Sequence, residues 1–270
     1  MTGTALLIIS VISYCLATVL VFMFIRSVSK QQPPVILLNV ASGAAFFALI
    51  CHVIYAYSNS QLDGMLNVSL SSMLILVSAI LSFIYLLGTL FMTIRRLGVL
   101  VYPLIIFCLA VSYFWQSSDS ARHVNTELSI HILVSLAAYS LLTIATIQAL
   151  LYVYQERQIK RRTQPAMLMA LPPLQTMEAL LFRMLGVGFI LLTLTLLSGA
   201  LFSQQLFGYA FEFKHHTILA ILGWAVFGSL LYKRVNHGLR GSQAVIWTVA
   251  GFVLIQLGYF GTKLVDEILL

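Results

Sequence analysis

Charge is what this sequence has least of: Asp, Glu, Lys and Arg together make up 9% of its 270 residues, while 60% are hydrophobic. Soluble domains carry about 25% charged residues, so this composition excludes a soluble globular protein. The few charges gather in clusters between long apolar runs and leave no stretch for a separate solvated domain. The net charge of +7 forms no long basic stripe, which sets nucleic acid aside as a partner.

Cysteine is scarce as well. Cys15, Cys51 and Cys108 each lie inside an apolar run, with no CxxC pair and no CxxCH. That excludes a thiol oxidoreductase and a haem attached covalently to this chain. Walker A, HExxH and GxSxG patterns are missing, and Gly186–Val187–Gly188 is followed by Leu191 where a dinucleotide fingerprint needs a third small residue. No carboxylate falls in the middle of an apolar run, which argues against a proton-driven pump. With no catalytic constellation in view, the expectation is a protein that is not an enzyme. The opening MTGTALLIIS has no basic n-region and no small-residue cleavage site before Arg26, so it reads as a retained first span.

What the sequence does have is apolar length. A bilayer core needs about 20 apolar residues per helix, and eight runs qualify, at about 5–25, 36–57, 68–92, 99–115, 128–154, 180–202, 216–232 and 242–262. Each is too long and too uniformly apolar for the alternating strands of an outer-membrane barrel. The expected fold is therefore an all-α, polytopic bundle of eight transmembrane helices forming one membrane domain, 1–270.

The connections differ in sign. The odd-numbered ones hold Arg26, Lys30, Arg95, Arg96, Arg157, Lys160, Arg161, Arg162, Arg183, Lys233, Arg234 and Arg240, twelve of the fifteen basic residues. The even-numbered ones and the C-terminal tail hold Arg122, Lys214 and Lys263 with most of the acids: Asp63, Asp119, Glu127, Glu212, Asp266 and Glu267. By the positive-inside rule the odd connections are cytoplasmic and both termini extracytoplasmic. The longest connection, 155–179, opens basic and turns apolar through Pro165, Met167, Leu168 and Met169. It suits a plain connector, or a surface that lies on the anionic leaflet or docks a partner.

Four of six histidines fall at the outer end of these runs. His52 lies five residues before the end of the second run, His131 in the first turn of the fifth, and His215 and His216 at the opening of the seventh. His123 precedes the fifth run, and His237 lies in the last basic connection. Two neutral imidazoles on facing helices can hold haem iron through its axial positions. Ser135, Tyr139, Thr143 and Thr146 follow His131 on one helical face, and a polar stripe in a membrane faces protein or a wet cavity. A histidine near a span end also serves as an interfacial or interhelical hydrogen-bonding residue, and hydroxyl stripes serve helix packing. Consecutive residues point about 100° apart on a helix, so one of His215 and His216 at most shares a pocket with His131.

Several segments resemble a known family. They are SIHILVSLAAYSLL at 129–142, LPPLQTMEALLFRMLGVGFILLTLTLLSGALF at 171–202, FKHHTILAILGWAVFGSLLYKR at 213–234 and GLRGSQAVIWTVAGFVLIQLGYFGTKL at 238–264. In order and spacing the stretch of about 129–264 is similar to the cytochrome c assembly, or haem-handling, membrane proteins (CcsA-, CcmC- and HemX-like), and the whole chain to their short bacterial YpjD-type branch. The resemblance implies a bacterial inner (plasma) membrane protein that binds a non-covalent b-type haem near its extracytoplasmic face. It implies His131 and His215, or His216 in its place, as axial ligands, with His52 as a further candidate. Implied partners are the lipid bilayer, haem and proteins of cytochrome assembly or haem synthesis.

One departure matters. Haem-presenting members carry a tryptophan-rich outer loop, WGxxW…WD, where this chain reads SQQLFGYAFEFK at 203–214. That favours haem binding, sensing or regulation over ligation of haem to apocytochrome. Two other function classes remain: a non-haem scaffold or regulatory subunit docking an enzyme through the basic connection, and a small-solute transporter. The transporter is disfavoured because corresponding halves lack paired Gly/Pro-broken helices.

Overall fold

The computed structural model describes residues 2–28, 34–62, 65–115, 121–122, 126–162, 171–201 and 215–261. Inside a bilayer every backbone N–H and C=O must find its partner within the chain, and a helix does this locally. The apolar runs accordingly fold as α1 (Thr2–Val28), α2 (Ile36–Ser60), α3 (Leu70–Phe91), α4 (Gly98–Phe114), α5 (Thr126–Lys160), α6 (Leu174–Leu201), α7 (His215–His237) and α8 (Gly241–Gln256). A π-helical turn, Leu257–Gly261, continues α8, and a 3₁₀ turn, Arg95–Leu97, leads into α4. With these turns included, eight helices among the described residues are long and apolar enough to cross a membrane.

The sequence reading and the structure agree on the number and order of the helices and differ at some ends. α5 runs to Lys160 and α6 begins at Leu174, each about six residues beyond its apolar run. Hydropathy reports where the hydrocarbon ends, whereas a helix continues as long as its backbone bonds and polar side chains are satisfied. Glu156, in the last turns of α5, bonds Lys160 at 2.7 Å and accepts from Ser242 Oγ of α8 at 2.7 Å. Glu178 of α6 pairs with Arg234 at 2.9 Å in the last turn of α7. The apolar part of the long connection, including Pro165, Met167, Leu168 and Met169, lies outside the described residues. So do His123, the loop at 202–214 and the tail at 262–270.

The sequence reading did not foresee a small sheet. β1 (Gln61–Leu62), β2 (Met65–Asn67) and β3 (Ala121–Arg122) pair antiparallel in the order β1-β2-β3, with Leu66 opposite both Gln61 and Arg122. These strands are too short for a hydrophobic period to reveal. They join the α2–α3 connection to the α4–α5 connection, so both lie at one end of the bundle. Asn67 Oδ1 then accepts from Ser69 N at 3.0 Å, and Ser69 caps α3.

The helices fall into two groups, α1–α4 and α5–α8, which meet chiefly along α3 and α5. In the first, the buried small residues Ala41, Ala45 and Ala48 of α2 let α1 approach closely, the usual device where lipid offers no hydrophobic drive. In the second, Gly223 and Gly251 do the same for α7 and α8. A Cβ on Gly223 would lie 2.5 Å from Ile255 Cγ2, and one on Gly251 would lie 2.9 Å from the Phe227 ring.

Candidate functional site

His131 is the sixth residue of α5, and its ring lies against the last turn of α6. Its Nδ1 is 2.8 Å from Ser198 Oγ, and a Cβ on Gly199 would stand 3.4 Å from its Cε1. Ser198 Oγ is also 3.0 Å from the Thr195 carbonyl. A hydroxyl has one proton: given to Nδ1 it makes the imidazole the acceptor, and given to Thr195 it leaves the imidazole to donate from Nδ1 with its lone pair on Nε2. Metal-binding histidines are fixed in the second way, through a second-layer acceptor on the other nitrogen.

The hydroxyl stripe below His131 has a plainer role than a wet cavity would give it. Ser135 donates to the His131 carbonyl at 2.6 Å, Thr143 to that of Tyr139 at 2.7 Å and Thr146 to that of Leu142 at 2.8 Å. These bonds satisfy the hydroxyl protons of Ser135, Thr143 and Thr146 inside their own helix.

His215 and His216 are the first two residues of α7, and both side chains are exposed. α7 is held to α6 by Trp224, which donates to Thr193 Oγ1 at 2.9 Å and stacks on Phe189 at 5.5 Å. α6 thus touches both α5 and α7, and α5 and α7 begin at the same end of the bundle. The π-helical turn lies close to both. Gly258 comes within 3.2 Å of the His216 carbonyl, measured from the Cβ it lacks, while Tyr259 and Phe260 lie 5.6 and 6.4 Å from the Tyr139 ring. Tyr139 is eight residues after His131, about 12 Å further along α5, so these three rings form an aromatic floor beneath the histidine end.

His52 is in the other half. It is fully buried, with Nδ1 3.4 Å from Tyr14 OH of α1 and Nε2 3.4 Å from Ser78 Oγ of α3. Tyr14 in turn donates to Ser82 at 2.8 Å. The structure therefore sets His52 among α1 and α3 and apart from the α5–α6 seam that holds His131. His237 ends α7, exposed and 6.1 Å from the Tyr232 ring.

Among the described residues no three His, Cys, Asp or Glu side chains converge to hold a bare metal ion. One or two imidazoles suit a group that brings its own equatorial nitrogens, which is the case for haem. The donor set at the histidine end fits that requirement. The sequence reading missed Ser198, Gly199, Tyr259 and Phe260. Ser198 and Gly199 stood in view within the SGA motif, but nothing local tied them to a residue 67 positions away.

A family model described as "Cytochrome C assembly protein" matches residues 38–270, from α2 to the end of the chain. The chain is 30% identical to "Inner membrane protein YpjD" of Escherichia coli (strain K12) over 232 residues, 84% of this chain and 86% of that protein. It is 30% identical over 143 residues, 53% of each chain, to an uncharacterized 28.8 kDa protein of Azospirillum brasilense. "Cytochrome c biogenesis protein CcsA" of Acorus calamus is 36% identical over 83 residues, 31% of this chain and 26% of that protein.

Proposed function

The chain belongs to the cytochrome c assembly protein family, and from that premise we propose that it is a non-catalytic haem-handling protein of the bacterial inner membrane. The observation that carries the reading is the His131–Ser198 pair, which holds one imidazole at the end of the bundle where α7 begins with His215 and His216. Haem bound there non-covalently would bring the iron and its four equatorial nitrogens. His131 and one of His215 and His216, with His215 preferred, would hold it through their imidazole nitrogens.

Around them, each residue has a defined part. Ser198 holds the ring plane of His131. Tyr139, Tyr259 and Phe260 close the floor with aromatic faces that exclude water. His52 is assigned a structural part, joining α1, α2 and α3. Positive charge concentrated at the opposite end orients the chain with the histidine end and both termini extracytoplasmic. The loop at 203–214, without tryptophan, favours holding or sensing haem over presenting it to an apocytochrome.

The test is a visible spectrum of the purified protein and of its His131→Ala variant. A low-spin six-coordinate haem in the wild type, converted to high-spin or lost in His131→Ala, is the expected result. An unshifted low-spin spectrum in the variant, or a wild type that takes up no haem, overturns the reading.

A further inference from the structure

At the end of the bundle opposite the histidines, a groove of about 700 Å³ runs between α5 and α8. Its walls are apolar, formed by Leu150 and Val153 of α5 and Val245 and Val249 of α8, and its mouth is flanked by Arg157 and Arg161. Arg161 N bonds the Arg157 carbonyl at 3.0 Å, so helical spacing persists past the end of α5 and sets both arginines on one face. From Arg161 to Leu150 is eleven residues, about 16 Å along the axis. One leaflet of a bilayer core is about 15 Å deep. The groove therefore has the length of a leaflet.

It also faces outward. Leu150 is 53% and Ile246 66% exposed, which in a membrane means exposure to lipid. Arg157 and Arg161 are exposed, and among the described residues neither side chain forms an ion pair or hydrogen bond. The nearby carboxylate, Glu156, is already occupied by Lys160 and Ser242. Two unpaired guanidinium groups above a leaflet-deep apolar groove match one kind of molecule, an anion at headgroup level with hydrocarbon beneath it. The lining contains no imidazole, thiol or thioether, so it offers none of these iron ligands to a second haem.

We propose that this groove is a binding site for an anionic phospholipid, its phosphate held by Arg157 and Arg161 and an acyl chain lying between α5 and α8. With the orientation proposed above, the lipid comes from the cytoplasmic leaflet, whose anionic headgroups attract such arginines. The lipid fills the groove between a helix of the histidine site and the helix that carries the π-helical turn, and so braces the second half of the bundle.

The full-length protein is reconstituted in nanodiscs of equal parts phosphatidylglycerol and phosphatidylcholine, extracted gently, and its retained lipid identified by native mass spectrometry. Phosphatidylglycerol should be retained in clear preference, and Arg157→Gln and Arg161→Gln should each lower its retention about fivefold. Arg162→Gln removes the same charge outside the groove and should retain lipid as the wild type does. Val249→Trp fills the groove with both arginines present and should lower retention too; if that variant does not fold, the arginine variants decide alone. Equal retention of the two lipids, or equal losses in Arg157→Gln and Arg162→Gln, would mean nonspecific boundary lipid and overturn the proposal.

Discussion

At the scale of single residues, position along the helices was legible and direction around them was not. His52, His131, His215 and His216 all read as one outer layer, yet His52 turns toward Tyr14 and Ser78 while His131 turns toward Ser198. A run of apolar residues on every side gives no azimuth, and Tyr14 and its acceptor Ser82 are 68 positions apart. The two histidines should therefore fail differently. Ser198→Ala removes the hydroxyl that orients His131 and should weaken haem affinity about tenfold, in line with the effect of losing such outer hydrogen bonds. Haem titration of the apoprotein measures it, and an unchanged affinity would reduce the serine to a bystander. His52→Ala should leave the haem spectrum intact. It leaves a cavity between α1, α2 and α3, with Tyr14 still bonded to Ser82 and Ser78 to the Leu74 carbonyl, at a cost of about 2–4 kcal/mol. Thermal unfolding in detergent reads that loss; a stable variant that lacks haem would instead move His52 into the cofactor site.

At the scale of elements, the eight helices were legible because uniform hydropathy of sufficient length has one solution in lipid. Their extensions were not, since the polar turns of α5 and α6 are held by partners on α7 and α8 that hydropathy does not see. The π-helical turn at Leu257–Gly261 was hidden for a related reason: its sequence is apolar like the rest of its run, and its distinction is Tyr259 and Phe260 reaching Tyr139. The contacts between helices rest on small residues whose importance depends on what faces them. Gly223→Ala places a methyl group 2.5 Å from Ile255 and 3.2 Å from the Gly251 carbonyl. Backbone cannot yield as a side chain tip can, so a loss of about 1–3 kcal/mol is expected. Gly186→Ala in α6 meets nothing within 4 Å and should gain up to about 1 kcal/mol from helix propensity. Melting curves of the two variants should move in opposite directions, and parallel shifts would contradict this account of the α7–α8 seam.

At the scale of the whole molecule, two independent features agree on which connections share an end. One is the charge split, twelve basic residues against three; the other is the small sheet, which joins the α2–α3 and α4–α5 connections through β2 and β3. The sheet fixes sidedness only in relative terms, and the charge bias is the basis of the proposed absolute direction. The two carboxylates at the basic end strengthen the assignment, because Glu156 and Glu178 are consumed in contacts with Lys160, Ser242, Arg234 and Arg240. They subtract little from the field that the remaining arginines present to the cytoplasmic leaflet. Reporter fusions should then place Leu270 on the extracytoplasmic side and a junction just after Arg162 in the cytoplasm. An inverted result would put the histidine end toward the cytoplasm, where haem would be met before export and not after it. The α5–α8 groove would then open to the outer leaflet of the inner membrane. Both sites lie on α5, His131 near its start and Arg157 near its end, so one orientation measurement assigns the compartment that each of them faces.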